Sequence, residues 1–127
     1  RFAERACRKL ARSTFYGMSR WQGGLEKRQS FLGRLVDIGA EVFAITATCV
    51  HAKTTAKEKP ERAETAYELA ELFCSQSRRR IDRLFDELWS NDDDDNYAAA
   101  QRVLEGRYTW FEEGVLDPSG GGPFIRP

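Results

Sequence analysis

Side chains able to do chemistry are few in this chain, and their spacing is poor. The single histidine, His51, lies two residues from Cys49. On a helix, positions i and i+2 point about 200° apart, so these two cannot share one metal ion. No other Cys-x-x-Cys or His-x-x-x-His spacing exists. A general base of the histidine type would have to be His51, and no Ser or Cys has an evident base partner. The run Asp92-Asp93-Asp94-Asp95 lacks the alternating register and distal Glu of a calcium loop. Negative charge at a helix N-terminus is sufficient reason for it. Glu105, Glu112 and Glu113 read as solvated helix surface, and Gly120-Gly121-Gly122 has no following helix or Lys to make a phosphate loop. The sequence therefore offers no catalytic, cofactor-binding or metal-ligating residue.

The remaining chemistry is positive charge. Arg78-Arg79-Arg80, with Arg83, has the composition of an anion site. Three successive residues span nearly the whole circumference of a helix, so they cannot form one patch; pairing with Asp82 and Asp86 on a solvated face is expected. Near the start, Arg1, Arg5, Arg8, Lys9 and Arg12 surround an apolar stripe, and Phe15, Tyr16 and Trp21 follow. Such a helix could lie on an acidic membrane surface or nucleic acid. It could equally be one wall of a bundle whose outer face meets the rest of a larger protein. The second reading is preferred, because neighbouring helices are available to bury the stripe. Arg5, Arg8, Arg12, Arg78 and Arg79 are the candidate interface residues.

These positions are carried by a strongly helical pattern. Phe31, Leu35, Ile38, Val42, Ile45, Cys49, Ala52 and Ala56 follow at alternating spacings of four and three, an unbroken heptad seam. A second seam runs beside it: Leu32, Val36, Gly39, Phe43, Ala47 and Val50. Two adjacent seams make a buried face too wide for a two-stranded coiled coil, so more than one partner helix is expected to cover it. The spacing predicts four helices. The first runs from about Arg1 to Ser19, with Ala3, Ala6, Leu10, Thr14 or Ser13, Gly17 and Trp21 inward, and Gly23-Gly24 breaks it. The second runs from about Leu25 to Lys57, roughly 50 Å, and Pro60 stops it. The third runs from about Glu61 to Trp89, with Ala63, Ala66, Ala70, Phe73, Ser77, Ile81, Leu84 and Leu88 inward. The fourth runs from about Asp94 to Glu113, with Tyr97, Ala100, Val103 or Leu104, Tyr108 and Phe111 inward.

The fold expected is all-α, an up-down bundle of about four helices over residues 1–116. Its core is Phe31, Leu35, Ile38, Val42, Ile45, Phe73, Ile81, Leu84 and Leu88. Residues 117–127 are read as a Gly/Pro-rich tail. The 127 residues, 41% hydrophobic and 31% charged, suffice for one domain with a real core. No stretch approaches the ~20 apolar residues that a membrane-spanning helix needs. Three widely spaced cysteines, Cys7, Cys49 and Cys74, argue against a disulfide framework and for a reducing compartment. No signal peptide is visible, and a chain opening at Arg1 in helical pattern reads as a piece of something longer. Net charge is zero but uneven: residues 1–34 hold nine Lys or Arg against two Glu, while residues 92–127 hold three Arg against eight acids. The two ends could attract one another, or one could face a charged partner.

One resemblance stands out. Leu-Ala-Arg-Ser-Thr-Phe-Tyr-Gly-Met (Leu10 to Met18) and the run from Leu25 to Ala44, above all Arg-Leu-Val-Asp-Ile-Gly-Ala-Glu-Val-Phe-Ala (Arg34 to Ala44), resemble the extra C-terminal helical domain of larger acyl-CoA dehydrogenases. These are the bacterial FadE type and relatives of the very-long-chain mitochondrial type. Glu71 to Ile81 fits the same domain more loosely. The resemblance implies a parent flavoenzyme that takes two hydrogens from Cα and Cβ of a fatty acyl-CoA, with FAD accepting the hydride and a Glu taking the α-proton. That chemistry would belong to the parent's catalytic core. Glu105-Gly106 resembles the Glu-Gly of the family's base motif, but the surrounding Val103-Leu104 and Arg107 do not match, so no catalytic or FAD residue is carried over. The resemblance implies a non-catalytic, cofactor-free domain of a cytoplasmic enzyme. It would pack on the catalytic core of the same chain and support homo-oligomer formation or membrane-surface association, with no nucleic-acid partner. The alternative is an independent helical adaptor that binds an acidic partner or membrane surface through its first helix.

Overall fold

A computed structural model describes residues 1–115. The tail read over 117–127 lies outside the described residues. Among the described residues every regular element is helical. There are four α-helices: α1 Phe2–Trp21, α2 Gln29–Glu58, α3 Ala63–Glu87 and α4 Asp93–Leu104. Short 3₁₀ segments at Gln22–Lys27, Pro60–Arg62 and Thr109–Glu112 complete the chain. The all-α class and the helix number agree with the reading from periodicity. The chain divides into two compact units, Arg1–Asn91 and Asp92–Pro127.

In the first unit, α1 ends at Trp21 because Gln22 turns to φ 46°, a left-handed conformation rare outside glycine. Gly23-Gly24 then continues as 3₁₀ helix and does not itself make the break. Lys59 is extended at φ −136°, as a residue before proline must be, and Pro60 opens the short 3₁₀ turn into α3. At the far end of α3, Asn91 Nδ2 donates to the carbonyls of Glu87 at 2.8 Å and Leu88 at 3.4 Å, satisfying two otherwise orphaned acceptors.

Contacts fix the directions. Arg34 meets Glu87, Glu41 meets Arg80 and Cys49 meets Cys74, so α2 and α3 are antiparallel. Gly17 meets Phe31 and Gly39 meets Leu10, so α1 also runs against α2. The core contains Ala6, Phe31, Leu35, Ile38, Val42, Ile45, Cys74, Ile81, Phe85 and Leu88. Phe73 and Leu84 are half-buried against it. The α3 stripe holds at Ala70, Ser77, Ile81 and Leu88, but Cys74 and Phe85 sit deeper than their expected neighbours Phe73 and Leu84, a small turn of the buried face. At one end Trp21, Phe31 and Trp89 form an aromatic cluster with ring centroids 4.7 to 5.8 Å apart. Gly17 makes room for it, since a Cβ there would stand 2.6 Å from the Phe31 ring.

Three expectations need correction. The second seam of α2 is left largely open among the described residues: Val36 is 69% exposed, Phe43 74% and Val50 60%. α1 and α3 cover the first seam and its borders, and no third helix of this unit reaches the far side. Second, α2 is long and apolar enough to cross a bilayer by length and composition. The expectation that no stretch suffices overlooked this, because Asp37 and Glu41 do not outweigh the surrounding apolar side chains. In this fold six of its residues, from Phe31 to Ala52, are buried in a bundle seam.

The third correction concerns α4, which is shorter than the periodicity suggested. Gly106 takes φ 74°, and N–H groups of Gly106 and Arg107 close back on the carbonyls of Val103 and Arg102 at 3.0 Å each. That is a Schellman ending, which the spacing of Tyr108 and Phe111 concealed. Tyr97, Val103, Leu104 and Phe111, expected inward, are exposed. Asp92 occupies the N-cap position without a side-chain capping hydrogen bond, so the acidic run acts through its charge in the first turn.

Ile38 is fully closed to solvent. Ile38→Asp should cost more than about 4 kcal/mol by placing an unpaired carboxylate in the seam. Loss of the cooperative thermal transition is expected in circular dichroism; a transition at similar temperature would show the seam misassigned.

Candidate functional site

The densest polar constellation lies between α2 and α3. Glu41, one turn beyond Asp37, turns toward α3 beside the Ile38–Val42 seam. Arg80 meets it side-on: Nε donates to Oε1 at 2.6 Å and Nη2 to Oε2 at 3.1 Å, a two-pronged pair. The hydroxyl of Ser77, itself fully buried, donates to Glu41 Oε2. The Arg80 guanidinium lies 5.7 Å from the Phe73 ring centroid. These hydrogen bonds, Arg80 first and Ser77 second, hold the Glu41 carboxyl below the usual carboxylate range, and the carboxylate in turn raises Arg80. The expected pairing of the arginine run with Asp82 and Asp86 is thus displaced for Arg80. Its partner is 39 residues away in sequence, and no local spacing could have shown it.

This cluster borders a groove of about 570 Å³, which Asp37, Glu41, Phe73, Arg80, Arg83 and Glu87 help to line. Three carboxylates face the space, and Arg80 is already engaged by both oxygens of Glu41. Arg83 stands among them, so the lining is mixed in charge. A second groove of about 460 Å³ lies between the other ends of α2 and α3, where Thr48, His51, Ala52, Thr55, Leu69 and Ala70 are among its walls. His51 is exposed there. Among the described residues no three His, Cys, Asp or Glu side chains converge as a metal site would require.

The five candidate interface arginines are all exposed. Arg8 donates to Glu4 at 2.6 Å, one turn back on α1. Arg78 stacks 5.2 Å from the Phe2 ring centroid, and Arg5 lines a small cleft of about 250 Å³ that also holds Phe2, Lys9 and Asp82. The fold thus brings Arg5 and Arg78 to one end of the α1–α3 contact. Lys9 lies over Phe85, 4.3 Å from the ring centroid.

Two features escaped the sequence reading. One is the Cys49–Cys74 pair, with Sγ atoms 3.7 Å apart across the α2–α3 seam. Their separation of 25 residues gives no local clue. Burial, with help from Cys49, pushes the Cys74 thiol above its ordinary range. The other is the bare face of α2. Around Val36, within about 60° on either side of the helix axis, every residue from Gln29 to Thr54 is uncharged. That face presents Val36, Ala40, Phe43, Ala47 and Val50 to solvent, and Gly33 on it has no neighbour within 4 Å.

Comparison with known proteins places these features in context. The family described as ACAD9/ACADV, C-terminal domain, matches residues 4–106. Proteins named probable acyl-CoA dehydrogenase FadE10, from Mycobacterium bovis and from two strains of Mycobacterium tuberculosis, are 60% identical over 126 residues. The alignment covers 98% of this chain and 19% of each relative, so the chain spans about a fifth of the length of the curated relatives it matches. No solved structure matches it.

The Glu41 cluster predicts an acid-sensitive contact. A carboxyl whose folded pKa is depressed contributes stability that is full above its unfolded pKa and lost as pH falls through the folded value. Melting temperature should therefore drop on acidification below about pH 4.5, the ordinary Glu value. Glu41→Gln should melt lower at neutral pH and show a flatter acid limb, measured by thermal scans across pH 3 to 7.

Proposed function

The chain belongs to the ACAD9/ACADV C-terminal domain family, and on that premise we propose that it is the non-catalytic C-terminal domain of an FAD-dependent acyl-CoA dehydrogenase. Its work is packing on the catalytic core of the same polypeptide. In the parent, the core would hold FAD and the Glu base that together remove two hydrogens from a fatty acyl-CoA thioester. The grooves described here mix carboxylate, guanidinium and apolar groups, and neither flavin contact nor the base is assigned to them. The parent is read as a cytoplasmic homo-oligomer, and Arg5 and Arg78 are offered as its second, electrostatic contact surface.

The observation that carries this reading is the uncharged outer face of α2. A helix in water keeps charge on its solvent side. Here Phe43 and its neighbours Val36 and Val50 are exposed along a stripe without one charged residue. Gly33 adds to the argument. A glycine inside a helix costs about 1 kcal/mol relative to Ala, and a Cβ at Gly33 would meet nothing within 4 Å among the described residues. Close approach by another surface gives it a purpose. About four-fifths of each curated relative's length lies outside the matched part, which supplies the partner. The adaptor alternative gains no support: the apolar stripe of α1, with Ala6, Ser13 and Gly17, is already buried inside the unit.

The test uses the full-length enzyme. Phe43→Glu together with Val50→Glu should leave flavin bound to the core at the normal ratio. The variant should expose the domain to limited proteolysis, releasing a fragment near 14.5 kDa that carries no yellow cofactor. Burying two unpaired carboxylates at an interface costs several kcal/mol. Protection equal to the parent would show that this face is not the docking surface, and flavin travelling with the fragment would overturn the division of labour.

A further inference from the structure

We propose that Cys49 and Cys74 are a modification site: a reversible intrachain disulfide forms between them on exposure to a peroxide and clamps α2 to α3. The sulfurs stand 3.7 Å apart on two different helices, in van der Waals contact. Small side chains bring them there. Beyond Ile45 the α2 seam continues as Ala52 and Ala56, and α3 answers with Ala66 and Ala70, of which Ala52 and Ala70 are buried. Forming the bond, at about 2.05 Å, requires the sulfurs to close by less than 2 Å.

Exposure divides the roles. Cys49 is open to solvent, whereas Cys74 belongs to the core. The Cys49 thiolate attacks one peroxide oxygen; the O–O bond breaks, and the leaving hydroxide takes a proton to become water. Cys49 is then a sulfenic acid. Cys74 sulfur attacks Cys49 Sγ, the S–O bond breaks, and the departing hydroxyl leaves as water with the Cys74 proton. Two thiols and one hydrogen peroxide give one disulfide and two waters, with two electrons passing from sulfur to oxygen. Burial keeps the Cys74 thiol protonated, so its proton is at hand for the departing hydroxyl. A small dithiol reverses the bond by exchange. Oxidation stopping at a buried Cys74 sulfenic acid would place a polar oxygen in the seam, which is why the exposed partner reacts first. Cys49 lies on the packed side of α2, away from its uncharged outer stripe, so the site does not depend on whether that stripe is docked.

The experiment treats the full-length protein with equimolar hydrogen peroxide, blocks free thiols with N-ethylmaleimide, and maps peptides by mass spectrometry. A Cys49–Cys74 linked peptide pair, two hydrogens lighter than the reduced peptides and lost on dithiothreitol treatment, is expected, while Cys7 stays alkylated. Cys49→Ser, at an exposed position, should abolish the linked pair without unfolding the domain. Oxidised parent should melt several degrees above reduced parent, and the variant should show no such shift. Recovery of both cysteines as alkylated or as sulfinic and sulfonic acids would overturn the proposal. So would a disulfide through Cys7 in its place.

Discussion

The unit Arg1–Asn91 depends on one contact, the antiparallel seam between α2 and α3. Ile38 and Ile81, one from each helix, are both fully closed to solvent. Neither helix would hold its length alone, since helical propensity is weak and most helical stability comes from burying a stripe. Here the buried stripes run from Phe31 to Ala52 and from Ala70 to Leu88. α1 seals one border through Ala6, Ser13 and Gly17. The aromatic cluster of Trp21, Phe31 and Trp89 closes one end.

Apolar seams tolerate slippage, because one leucine-sized side chain resembles another. Glu41 resists it. Its two oxygens take two donors from Arg80 and one from Ser77, and a shift of one turn would strand a carboxylate beside the core. The cluster therefore acts as a register pin, and its depressed carboxyl pKa follows from the same geometry. The closeness of Cys49 to Cys74 depends on that register too, since both contacts belong to one antiparallel alignment.

What the fold leaves uncovered bears on function. α2 has three sides: one meets α3, one meets α1, and one stays open within the described residues of this unit. The third side is uncharged from Gln29 to Thr54, yet it is as apolar as a bundle interior. A domain built this way is complete in its core and incomplete at its surface. That agrees with its place as about a fifth of the longer dehydrogenases it matches.

Helical class and the first α2 seam were legible because heptad spacing is a local property, written in residues three and four apart. So was the family, through Arg34 to Ala44 and its neighbours. The rotation of α3 that buries Cys74 and Phe85 in preference to Phe73 and Leu84 was not legible, because several adjacent stripes on that helix are apolar and only the partner selects one. Tyr108 and Phe111 continued the spacing of α4 past its true end, where Gly106 in a left-handed conformation decided the matter. The pairings of Glu41 with Arg80 and of Cys49 with Cys74 join residues far apart in the chain. Sequence by itself determined that α2 would carry two apolar seams, since side-chain order is covalent. Only the tertiary structure decided which seam is buried, because α1 and α3 are too few to cover both.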